Sequence, residues 1–146
     1  MKEIRTEIDI KASPEKVWKV LTDFNNFSNW NPFIQKIIGE PREGSKLKIN
    51  LYTSSGKNRT YRPIVTKVEP FQELRWFGKS FIPGMFNGER IFVIEPLRED
   101  LTHFMHKEIF TGFLVSLIGN RLDEDMFQSF VQMNNALKEK VEQGPI

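Results

Sequence analysis

The chain contains no cysteine and only two histidines among its 146 residues. The first absence excludes disulfides, thiolate zinc sites and a cysteine nucleophile. The second leaves little material for a metal centre, and His103 and His106 have opposite strand parity, so they should not share an ion. No apolar run approaches the ~18–20 residues needed to cross a bilayer, and Met1-Lys2-Glu3-Ile4-Arg5 lacks the apolar core of a signal segment. Charge of one sign is missing too: 21 Lys and Arg are interspersed with 19 Asp and Glu, net +2, with no basic stripe to track a phosphate backbone. No Gly-x-Ser-x-Gly elbow or Ser/His/Asp set is legible, and Ser54-Ser55-Gly56-Lys57 lacks the pattern that cradles phosphate. These gaps imply a cytoplasmic monomer or homodimer. They argue against a nucleic-acid partner, stable membrane insertion, a metal or a cofactor.

Aromatic residues, by contrast, are plentiful: thirteen Phe, three Trp and two Tyr. They share strands with charge at one place. Gly88–Glu95 and Thr102–Phe110 alternate around a turn-like Pro96-Leu97-Arg98-Glu99-Asp100. Side chains alternate along a strand, so Arg90, Phe92 and Ile94 share one face, and Phe104, His106, Glu108 and Phe110 share another. A simple antiparallel hairpin sets Ile94 opposite Phe104, Phe92 opposite His106, and Arg90 opposite Glu108. A core seldom buries a guanidinium, an imidazole and a carboxylate unless they are paired or used.

The rest of the chain reads as one domain, 1–146, of α+β class. Ile4, Thr6, Ile8 and Ile10 alternate with Arg5, Glu7, Asp9 and Lys11, giving a first strand with one buried face. Ser13-Pro14-Glu15 supplies a hydroxyl N-cap, a proline at the first helical position and an acid in the first turn. Val17, Trp18, Val20, Leu21, Phe24 and Phe27 continue at helical spacing, broken by Asn25-Asn26 into two short helices ending near Trp30-Asn31-Pro32. Strands follow over Phe33–Gly39, Leu47–Leu51, a long Arg59–Glu69 and Glu73–Gly78, and then come the two hairpin strands. From Phe113 to Val141, apolar residues recur every three or four positions, with Asp123-Glu124-Asp125 and Lys138-Glu139-Lys140 on the wet side. About seven strands in β-α-α-β6-α order would then curve around one long C-terminal helix.

That order, with its local motifs, resembles the SRPBCC group of START-related, birch-pollen-allergen-like and polyketide cyclase-like ligand-binding proteins. The motifs are Ala12-Ser13-Pro14-Glu15-Lys16-Val17-Trp18, Phe27-Ser28-Asn29-Trp30-Asn31-Pro32-Phe33 and Glu73-Leu74-Arg75-Trp76-Phe77-Gly78. Gly88-Glu89-Arg90-Ile91-Phe92, Thr102–Gly112 and Met133-Asn134-Asn135-Ala136-Leu137-Lys138 complete them. The resemblance implies a helix-grip fold over nearly the whole chain and a cavity for a hydrophobic molecule. Members resembling this chain often carry histidine at the position of Arg90. A permanent cation there can pair Glu108 or attract an anionic head group.

The ligand-facing candidates are Arg90, His106 and Glu108, lined by Trp30, Trp76, Phe92, Phe113, Leu117, Phe127 and Phe130. A structural Arg90–Glu108 ion pair with a satisfied histidine is the competing reading of the polar three, and ordinary core that of each apolar one. The loop Phe81-Ile82-Pro83-Gly84-Met85-Phe86 reads equally as a lid, a membrane-touching tip or simple packing. The favoured function is binding or carriage of a lipid, isoprenoid, aromatic or polyketide-like molecule. The alternatives are a cyclase or dehydratase using His106 and Glu108 as acid and base, and a chaperone-activator-like interaction module. Catalysis ranks below binding.

Overall fold

In a computed structural model of the chain, the described residues are 1–79, 87–113, 115 and 120–143, with the backbone alone for 120–122. The loop expected over Phe81–Phe86 lies outside them, as does Leu117. Among the described residues, eight strands and two α-helices follow one another: β1 (Lys2–Ile10), α1 (Pro14–Thr22), β2 (Ile34–Ile38), β3 (Lys48–Tyr52), β4 (Asn58–Tyr61), β5 (Ile64–Glu69), β6 (Glu73–Lys79), β7 (Asn87–Arg98), β8 (Leu101–Thr111) and α2 (Asn120–Glu142). A 3-10 turn over Phe24–Asn29 follows α1. Ser13 caps α1, its Oγ accepting from the Lys16 backbone N–H at 3.3 Å, with Pro14 opening the helix.

Five strands form an antiparallel sheet in the order β1-β8-β7-β6-β5, and three form another, β2-β3-β4. The long strand expected over Arg59–Glu69 is two strands belonging to different sheets. Pro63 divides them: it has no N–H to give a ladder. Its carbonyl instead accepts from Leu47 N–H at 2.9 Å, and Val65 N–H bonds Ser45 O at 2.9 Å. This junction raises the strand count from the expected seven to eight.

The hairpin register is the one that alternation implies. Arg90 faces Glu108, Phe92 faces His106 and Ile94 faces Phe104. The neighbouring strands extend these pairs into rows across the sheet. Trp76, Arg90, Glu108 and Ile4 form one row, and Leu74, Phe92, His106 and Thr6 the next. Gly78 and Gly88 lie opposite each other one step further on. Helix α2 closes the inner face with Phe130, Met133, Asn134, Leu137 and Val141, all buried. Asp125, expected on the wet side of this helix, is buried as well. It accepts from Ser54 Oγ (2.7 Å), Ser55 N–H (2.8 Å) and Ser55 Oγ (2.8 Å), tying the β3–β4 turn to α2.

Candidate functional site

Arg90 is 1% exposed, and its Nη2 lies 2.5 Å from Glu108 Oε1. The guanidinium carbon also sits 5.0 Å from the Phe33 ring centre and 4.9 Å from that of Phe130, so the cation is flanked by π faces as well as by its carboxylate. Arg90 Nη1 donates to His106 Nε2 at 2.9 Å. An arginine has only donors to offer, so the imidazole must present a lone pair there.

The remaining bonds fix the rest of this chain. His106 Nδ1 is 3.0 Å from Asn134 Oδ1, Asn134 Nδ2 donates to Thr6 Oγ1 at 2.8 Å, and Thr6 Oγ1 donates to the His106 carbonyl at 2.8 Å. Because the threonine proton is used at that carbonyl, the Asn134 amide nitrogen must donate and its oxygen must accept. His106 is therefore the Nδ1–H tautomer. Its ring lies flat on Phe130, with centroids 4.2 Å apart and planes within 6°. Burial, with the adjacent Arg90 charge, holds its pKa well below the ordinary histidine range. A neutral ring with both nitrogens engaged is a structural hydrogen-bond hub.

Glu108 occupies a different position. Burial pushes its carboxyl pKa up while Arg90 pulls against it. Its Oε2 fits against Gly88, where an added Cβ would stand 2.5 Å away. Across the ladder, a Cβ on Gly78 would stand 3.2 Å from the Tyr61 ring. Two glycines on paired strands thus leave a notch in the sheet, occupied from one side by Tyr61 and from the other by the Glu108 carboxylate. Tyr61 OH accepts from Trp76 Nε1 at 3.0 Å.

A cavity of about 310 Å³ opens at this notch. Leu51, Tyr61, Met126, Arg90 and Glu108 wall it, Gly78 and Gly88 form its floor, and Arg59, Thr60 and Lys79 stand at its exposed rim. A larger groove of about 860 Å³ runs past Ser13, Phe71, Ile94 and Glu99. It touches none of the buried polar residues.

The sequence-selected residues therefore separate into groups. Arg90 and Glu108 line the cavity, whereas His106 stands behind them, in contact with Asn134. Trp76, Phe92 and Phe130 are fully buried in the core around the polar chain, and Trp30 is half-buried against Phe27. Phe113 is 68% exposed and Phe127 40% exposed. Thr6, Asn134, Tyr61, Leu51, Met126 and the Gly78/Gly88 pair were not singled out by sequence reasoning. Thr6 and Asn134 did carry a signal: each is a polar residue at an apolar position of its own strand or helix period.

Antiparallel sheets of five and three strands with a C-terminal helix, and a cavity beside a buried ion pair, define a START-like helix-grip protein. Residues 1–141 match the family described as polyketide cyclase/dehydrase and lipid transport, and the chain belongs to it. No curated protein matches it. Among solved structures it is similar to a START superfamily protein from Mycobacterium smegmatis, with 19% identity, 97% of each chain covered and a TM-score of 0.77. The Zhui aromatase/cyclase from Streptomyces sp. R1128 superposes at 0.76, with 15% identity over 97% of this chain and 94% of that one. A protein from Thermus thermophilus also gives 0.76, with 19% identity over 97% of this chain and 98% of the other. At these identities the shared property is the fold.

Proposed function

We propose that the chain binds a small, mostly apolar molecule in the cavity beside Arg90 and Glu108. One observation carries this reading: a cavity of about 310 Å³ opens directly beside a buried ion pair, Arg90–Glu108, with Leu51, Tyr61 and Met126 on its walls. Leu51, Met126 and the Tyr61 ring offer apolar contact, while Glu108, Arg90 and the Tyr61 hydroxyl offer orientation. A largely apolar lining with a few placed polar groups is the usual make-up of a small-molecule site. The volume falls at the small end of the ~300–1,000 Å³ range of such sites. Transport or sequestration fits better than cyclisation or dehydration, because the one buried histidine has both nitrogens bonded and does not face the cavity.

Native mass spectrometry of the purified protein, followed by organic extraction, tests the proposal. The expected result is a reproducible bound mass that is lost when Leu51→Trp fills the cavity. A protein that stays empty, and whose melting temperature does not respond to a panel of fatty acids, isoprenoids and aromatics, would overturn it.

A further inference from the structure

The charges around this cavity do not cancel. Arg90 and Glu108 neutralise each other at the inner wall. Arg59, from β4, and Lys79, at the end of β6, stand exposed at the rim. Among the described residues, neither forms an ion pair and no carboxylate other than Glu108 lines the cavity. The lining therefore carries a formal charge of +2, all of it at the mouth. Arg90 is already committed to Glu108, so an anionic group is not expected to replace that carboxylate deep inside.

We infer that the cavity selects small amphipathic anions, with the apolar body lodged against Leu51, Tyr61 and Met126 and the anionic group held at the mouth by Arg59 and Lys79. The inference rests on the binding role proposed above and names the ligand class that this site takes. Exposed cations contribute modestly to affinity but concentrate and orient an incoming anion, an effect that weakens as salt rises. A carboxylate at the mouth also stays hydrated, so the ligand need not strip its charge of water. The polar pair inside then meets only weakly polar or apolar parts of the ligand.

Octanoate and 1-octanol share a chain and differ in charge, so their comparison tests the inference. Each is titrated into 15N-labelled protein at pH 7.5 and low salt, following the amide signals of Thr60, Gly78 and Gly88. Octanoate is expected to bind about fivefold more tightly than octanol. That ratio should shrink towards one in 0.5 M NaCl and in the Arg59→Gln/Lys79→Gln variant, with octanol affinity unchanged. Both substitutions are on exposed side chains, and circular dichroism checks the fold. Equal affinity for the two ligands, or a ratio that survives in the variant, overturns the anion preference while leaving the binding role intact. Failure of both ligands to shift these signals up to their solubility limits overturns the binding role and the anion preference together.

Discussion

Arg90 Nη1 lies 2.9 Å from His106 Nε2, a permanent donor against a ring nitrogen that must accept. The contact sets the histidine's charge state before any ligand is considered. A protonated imidazole would place a second cation beside the guanidinium and lose that bond. The two histidines of the chain should accordingly titrate in opposite ways. His106 is held low by burial and Arg90, whereas His103, on the outer face, is raised by its bonds to Asp9 and Glu7 at 2.6 and 2.8 Å. In a 1H–13C NMR titration, one imidazole signal should move with a midpoint above the ordinary ~6.5, and the other should stay neutral well below it. Two histidines both titrating near 6.5 would refute the hydrogen-bond chain.

The same shift has a consequence for stability. With its pKa lowered in the folded state, His106 binds fewer protons folded than unfolded. Its contribution is present above pH ~6.5 and falls away as pH drops below that value. His103 has the reverse sign: its contribution is complete below ~6.5 and is lost as pH rises through its folded pKa, though its exposure keeps it small. Glu108 also has a raised pKa, so acid does not destabilise the fold through it. Urea unfolding from pH 7.5 to 5 should therefore show a decline in stability that flattens in His106→Gln, and an equal decline in both proteins would contradict this assignment.

Removing one member of the Arg90–Glu108 pair leaves the other largely buried with no opposite charge. Glu108→Ala and Arg90→Ala should each cost about 3–5 kcal/mol. Replacing both, as Arg90→Met/Glu108→Leu, should recover most of that loss, because an apolar pair of similar size carries no desolvation penalty. Chemical denaturation of the three variants measures this. A double variant as unstable as the sum of the singles would show that the pair is not a self-contained unit.

Gly88 is required by the Glu108 carboxylate, not by its backbone angles. Gly88→Ala should cost about 1–3 kcal/mol, as overpacking does. In a Glu108→Ala background the same change should be nearly silent, since the clashing oxygen has gone. A full cost in both backgrounds would place the strain elsewhere.

The buried Asp125 accepts three hydrogen bonds from Ser54 and Ser55, and these hold its pKa below the usual carboxylate value. Asp125→Ala should destabilise by about 1–3 kcal/mol and speed hydrogen exchange at Ser54 and Ser55 first. No local change in exchange would mean that the turn does not depend on α2.

Much of the site was legible because local rules governed it. Alternation and one short turn place Arg90 opposite Glu108, and no tertiary information is needed for that pairing. The role of His106 was not legible in the same way. Its partner Asn134 is 28 residues away on another element, so only packing reveals that the ring is a hub behind the cavity. Asp125 shows the same limit, since an acidic triplet looks solvated until a serine turn folds onto it. Pro63 did announce a break in its strand, yet the transfer of the chain to a second sheet depends on Leu47 N–H donating to Pro63 and on the Ser45 carbonyl accepting from Val65. The cavity itself was hidden because its walls come from β3, β4, β6, β7, β8 and α2, which only the fold brings together.

The proposed binding of ligands in the cavity beside Arg90 and Glu108 is tested most directly by a site-resolved titration of wild type and Met126→Trp with octanoate. Shifts are expected at Thr60, Gly78 and Gly88 in wild type, and none in a folded Met126→Trp protein whose added indole fills the cavity. Shifts centred instead on Phe71 and Ile94 in the larger groove, or undiminished binding in Met126→Trp, would contradict it.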